Sequence, residues 1–281
     1  MQRHLNYFSH FGAIGFPINS QIEFERLLKL AFESGQAVPF PGGKYVCWSP
    51  GEGVELWVKV RDRSVVGCAP YYRGEGRLTV ALEAFHARSY EASVTDGALS
   101  GAVLPAEAAG AAFPIIVDLP GFEATVSRVV PPQTVTLQAT AFALEMNCVA
   151  DAAALADWRD AQQDRGTAAT DDGIALAEAS LTARVLRASL RTNPITQQNF
   201  LALVVQAPGG GTLDIVASHR AASGELIVGG TVQGDFWISG SILDATSSLD
   251  VPGRSGEAGK DAPIPVLSRL TNWVRGNTSG G

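Results

Sequence analysis

The sequence predicts an α+β protein dominated by β-structure, with a βαβββ-type mixed sheet first and an antiparallel barrel second. Three observations carry this reading. Apolar runs are short and separated by Pro/Gly-rich turns at residues 39–43, 50–53 and 208–211, the punctuation expected between strands. A strong helix-start signal stands near the N-terminus, Ser20-Gln21-Ile22-Glu23, a Ser-x-x-Glu capping box. The block from 179 to 243 then reads as one strand after another.

Taken in order, residues 10–18 form a short apolar run suited to a buried strand. The capped helix follows, with Ile22, Phe24, Leu27, Leu28, Ala31 and Phe32 on its buried side and Gly35 as its stop. Residues 44–49 and 54–60 flank Pro50-Gly51-Glu52-Gly53 as a hairpin. Residues 78–85 and 113–119 read as strands, 98–112 is Ala-rich with little punctuation, and 134–147 is long enough for a curved barrel strand. A surface helix is expected at 150–164, then a polar loop around 167–173. Strands follow at 179–190, 199–206, 212–218 and 231–243, the second and third joined through Pro208-Gly209-Gly210-Gly211. Residues 251–265 read as a linker. The short amphipathic stretch carrying Leu267, Leu270, Trp273 and Val274 is too short to stand as a helix alone, so it must dock on something. The expected units are a sheet domain over 1–130, a barrel domain over 131–250, and a linker with a docking segment over 251–281. No internal repeat of 20–50 residues is visible.

Composition narrows the class. The 281 residues are 46% hydrophobic and 17% charged, which suits a packed globular protein. No apolar run reaches the roughly 18 residues of a spanning helix, and the opening residues lack the apolar core of a secretory signal. The expectation is therefore a cytoplasmic protein with no membrane contact. Net charge is −7, and residues 125–250 carry 13 acidic against 7 basic residues, which disfavours nucleic acid as a partner. Cys47, Cys68 and Cys148 are odd in number and lack metal-type spacing, so they read as buried thiols. Asp157, Asp160, Asp164, Asp171 and Asp172 lack EF-hand spacing and read as a solvated surface.

Several familiar catalytic signatures are missing from the sequence: a Gly-x-Ser-x-Gly elbow, a His-Glu-x-x-His pair and a complete phosphate loop around Gly42-Gly43-Lys44. The order strand, helix, short strand, strand, strand over about residues 9–60 resembles one βαβββ module of the vicinal oxygen chelate superfamily. The resemblance rests on His10 opening the first strand, the helix ending at Gly35, and Gly53-Val54-Glu55-Leu56-Trp57. It implies that His10 and Glu55 hold a divalent metal able to polarise a substrate oxygen. Where a second module would place its His stands Arg77, a residue able to pair with an anionic ligand. Thr125 falls near the expected second Glu.

The strand succession 182–186, 200–205, 213–217 and 229–234 resembles an OB-fold barrel, with the usual helix reduced to 218–225. Such barrels bind single-stranded nucleic acid through exposed aromatics and cations. The resemblance points to Phe200, Phe236 or Trp237 with Arg184, Arg187 and Arg191. Arg187 and Arg191 share one face of a strand and Arg184 takes the other. Because no complete catalytic set is visible, the leading expectation is a non-catalytic binding or assembly module. Its docking segment would cover the protein's own sheet or meet a protein partner or a second copy. A metal-dependent enzyme of the vicinal oxygen chelate kind and an OB-type nucleic-acid binder are the alternatives.

Overall fold

The computed structural model describes residues 3–88, 94–105, 113–150, 176–207 and 209–243. The surface helix expected at 150–164 and the docking stretch at 267–274 fall outside the described residues, apart from Ala150.

Two helices open the chain. α1 (Arg3–Gly12) stands where a strand is expected at residue 10. Phe8 and Phe11 are three residues apart, a helical spacing, and both meet the Phe24 ring edge-on at 5.5 Å. α2 (Gln21–Ser34) begins as its capping box dictates: the Ser20 hydroxyl accepts from the Glu23 N–H. The Glu23 carboxylate reaches back to the Asn19 N–H at 2.8 Å. Phe24, Leu28 and Ala31 are buried, whereas Ile22, expected inside, is 61% exposed.

Four antiparallel strands follow in sequence order: β1 (Gln36–Phe40), β2 (Gly43–Gly51), β3 (Val54–Arg61) and β4 (Ser64–Tyr72). Glu52 and Gly53 have φ of 55° and 79°, Asp62 and Arg63 of 48° and 60°. Both pairs thus carry the double positive φ of a type I′ turn, which matches strand twist. The first sheet is therefore a plain meander led by helices, and the leading strand of the expected βαβββ order is not there.

The remaining strands form one continuous sheet: β5 (Leu78–Ala87), β6 (Gly97–Val103), β7 (Phe113–Asp118), β8 (Gln133–Val149), β9 (Glu178–Thr192), β10 (Asn199–Gln206), β11 (Thr212–Ala217), β12 (Ala222–Gly224) and β13 (Thr231–Ile242). A short helix, α3 (Phe122–Val126), links β7 to β8. The long strands β8 and β13 pair antiparallel from Leu137↔Ile242 to Val149↔Thr231. On its other edge β8 meets β5 with residues 133–137, β11 with 140–142 and β12 with 146–148. On its other edge β13 meets β9 with residues 231–237 and β7 at Ser239. Two five-membered rings result, β5-β6-β7-β13-β8 and β9-β10-β11-β8-β13, sharing the central pair.

The rings are related by an approximate two-fold. In each, a three-strand meander sets its first strand antiparallel to the long strand that follows it, and its third strand parallel to the other long strand. Phe142 lies opposite Trp237 and Thr140 opposite Ser239; Asp214 flanks the one and Asp118 the other. Each first strand also carries one extra residue against its neighbour, Glu83 in β5 and Leu186 in β9. Such a β-bulge bends the strand away from the ladder. The repeat spans about one hundred residues, β5 opening at Leu78 and β9 at Glu178, far beyond a 20–50 residue period. This sheet takes strands from both sides of residue 130, β5 to β7 before it and β8 to β13 after it.

Two cores follow from this layering. One fills the rings with Leu78, Val80, Leu99, Val117, Leu137, Leu203, Ile215 and Ile238. The other lies between the helices, the meander and the outer barrel surface, where Phe24, Leu56 and Val58 join Phe142, Phe200 and Trp237. No helix among the described residues is long and apolar enough to cross a membrane.

Candidate functional site

His10 and Glu55, the expected metal pair, occupy different surroundings. His10 lies on α1 with its ring 4.5 Å from that of Trp237 and is 3% exposed. Neither ring nitrogen has a hydrogen-bond partner among the described residues. Glu55 projects from β3 and its carboxylate is taken up locally. It accepts from Trp57 Nε1 at 2.9 Å and Arg73 Nε at 2.6 Å, with Cys47 Sγ at 3.7 Å. Among the described residues no three His, Cys, Asp or Glu side chains gather as a metal site. Burial and Glu55 push the Cys47 thiol well above its ordinary range, and burial does the same to Cys68.

Burial pushes His10 down to about 3, because charging an imidazole there would strip its hydration. The folded protein thus holds His10 neutral while the unfolded chain protonates near 6.5. Its contribution is intact above pH 6.5 and is lost as pH falls toward 3. His10→Phe should remove roughly 3 kcal/mol of the stability lost between pH 7 and pH 4, read from urea midpoints across that range. An unchanged pH profile would contradict this.

The expected ligand-binding residues are also accounted for locally. Arg77 donates to the carbonyls of Gly74 and Gly76 at 3.2 and 2.8 Å, closing its own loop. Arg191 pairs with Glu52 at 2.9 Å, and Arg187 with Glu75. Trp237, expected as an exposed stacking platform, is buried and donates Nε1–H to Asp118 at 2.7 Å. Phe200 and Phe236 are buried as well. The sheet pleat explains this, since β13 has neighbours along both edges and a core against each face.

The densest chemistry lies between the meander and α3. Lys59 is buried on β3 with its ammonium against Asp96 and 3.3 Å from Glu123. Tyr45 donates its hydroxyl to Asp96 at 2.6 Å and accepts from the Glu123 N–H at 3.0 Å. Arg61 completes the set on Glu123 at 2.6 Å, and Lys59 lies 5.3 Å from the centre of the Phe40 ring. Burial raises the Asp96 carboxyl against the opposing pull of Lys59 and Tyr45. Burial and Asp96 raise the Tyr45 phenol. Beside this layer a cleft of about 50 Å³ is lined by Trp57, Tyr71, Gly121, Arg128 and Ile242, room for little more than a water or two.

Two further carboxylates sit at two-fold-related places. Asp118 holds the buried Arg88 and Trp237. Asp214 accepts from the backbone N–H groups of Glu75 and Gly76 at 3.1 and 2.7 Å and from Gln138 at 3.0 Å. Both act as fasteners: one ties β7 to β13, the other pins the loop leading into β5.

The exposed chemistry lies instead on strand edges. Beyond Arg184 β9 leaves β13, and residues 186–192 pair only with β10 among the described residues. Leu186 and Leu190 are 36% and 56% exposed there, with Arg187 and Arg191 between and beyond them. The two-fold-related stretch, residues 83–87 of β5, leaves β8 after Leu82 and pairs only with β6 among the described residues. By contrast the outer edge of the meander, β1, carries Pro39, a residue that blunts strand addition. No family model, curated protein or solved structure matches the chain.

Proposed function

We propose that this chain is a non-catalytic binding and assembly module that uses the open edge of β9 to take up a strand from another protein chain. The observation that carries the reading is residues 186–192, a strand with one edge unpaired among the described residues and two exposed leucines. Unpaired N–H and C=O groups along such an edge are a template for main-chain hydrogen bonding, and alternate side chains add selectivity. The buried charged groups support the same reading, because Asp118, Asp214, Glu55 and Lys59 are each occupied by partners that fix the fold.

The OB resemblance bears on how the barrel presents this edge. The closed ring of five strands, β9-β10-β11-β8-β13, supports that resemblance. Nucleic-acid binding by that ring has little support, since its expected aromatics are buried.

The test is light scattering over a concentration series, with amide hydrogen exchange read on 186–192. The expected result is a mass above one chain with slow exchange along the strand. Leu190→Lys, at an exposed position, should return the protein to monomer and release those amides. A wild-type monomer with fast exchange at 186–192 would overturn the reading.

A further inference from the structure

Resting on that assembly reading, we infer that the strand laid on β9 is the two-fold-related edge of β5 from a second copy, so that copies join head to tail. The two edges are built alike. Each is the second half of a ring's first strand, each begins at a bulge, and each is paired only on its inner side among the described residues. Their charges are opposite. Residues 186–192 offer Arg187 and Arg191 and no acidic residue, whereas residues 83–87 offer the exposed Glu83 and no Lys or Arg. Arg88, the next residue, adds nothing to that edge because it is buried against Asp118.

Charge decides among the pairings open to two copies. A symmetric β9-to-β9 contact sets Arg187 against Arg191, and a symmetric β5-to-β5 contact over 83–87 sets Glu83 against Ala87 and brings no opposite charge to it. Like charges across adjacent strands destabilise them. The mixed pairing sets Glu83 near guanidinium groups now held by exposed partners, Glu75 and Glu52, which surface exposure makes weak and exchangeable. The mixed contact also leaves an open β5 edge at one end and an open β9 edge at the other, the condition for continued head-to-tail growth.

The experiment uses the full chain with Glu83→Arg, with Arg187→Glu/Arg191→Glu, and with the two variants mixed. Each variant alone should raise the concentration at which mass increases by about tenfold or more, a cost of about 1.4 kcal/mol. Mixing them should restore assembly, because each junction again brings opposite charges together. Assembly lost in the β9 variant but untouched by Glu83→Arg and not rescued by mixing would overturn this inference and leave the β9 reading standing. A wild-type monomer whose 186–192 amides exchange slowly would assign the edge to a segment of the same chain and overturn both.

Discussion

Asp118→Ala should destabilise the fold by roughly 3–5 kcal/mol, the cost of breaking a buried ion pair. Asp118 ends β7 and is 2% exposed at its side chain, against 3% for Arg88. One carboxylate oxygen meets Arg88 and the other accepts from Trp237, while Ser239 donates to the Asp118 carbonyl at 3.3 Å. These contacts hold β7 to β13 where the ladder itself supplies a single pairing, Ser239↔Asp118. Alanine therefore takes a buried carboxylate away from a buried guanidinium and loosens the seam that closes the first ring. Urea denaturation would read the loss as a lower midpoint. The double variant Arg88→Met/Asp118→Leu should recover most of it, because apolar groups of similar volume carry no desolvation penalty there. A loss under about 1 kcal/mol for Asp118→Ala would show that the pair is not the fastener described.

What the sequence could and could not reveal follows from the range of each signal. The capping box, the hairpin around Glu52-Gly53, the long β8 and the strands β9, β10, β11 and β13 are local features, and local residues specify them. The run at 10–18 misleads because a short apolar stretch fits a buried helix end as well as a strand. Only the Phe8–Phe11 spacing hinted at the helix. β4 carries Pro70, a residue that weakens any strand reading. The duplication was invisible because it resides in pairing: Trp237 answers Phe142 and Asp214 answers Asp118 without a shared run of residues. The edges left unpaired among the described residues were invisible for the same reason, since an edge is defined by what does not pair with it.

The charged layer was missed for a different reason. In β3, Glu55, Trp57 and Lys59 alternate with Leu56, Val58 and Val60, a pattern that reads as one dry face and one wet face. Alternation cannot distinguish a face turned to water from a face covered by a second polar surface. Here α3 and the segment at 94–97 cover it, so Lys59 is buried and must find its counter-charges inside.

Lys59→Met should accordingly cost roughly 3–5 kcal/mol at neutral pH, with a pH dependence that identifies the cause. Methionine keeps much of the length and apolar volume of the lysine stem, so packing is largely spared. Asp96 loses its ammonium partner and keeps the Tyr45 hydroxyl, while Glu123 retains Arg61 at 2.6 Å. Burial already raises Asp96, and without Lys59 its folded pKa rises further above the unfolded value near 3.8. A raised carboxyl means that the native state binds the proton more tightly than the unfolded chain. The penalty is therefore full above the folded pKa and vanishes as pH falls and Asp96 protonates in both states. The stability gap between Lys59→Met and wild type should narrow steadily from pH 7 toward pH 4 in urea titrations. Lys59→Met/Asp96→Asn should close most of that gap at pH 7. A gap that is flat with pH, together with a double variant no better than the single, would mean that Lys59 matters for its packing rather than its charge. If the charge assignment holds, the layer is a clamp joining meander to barrel.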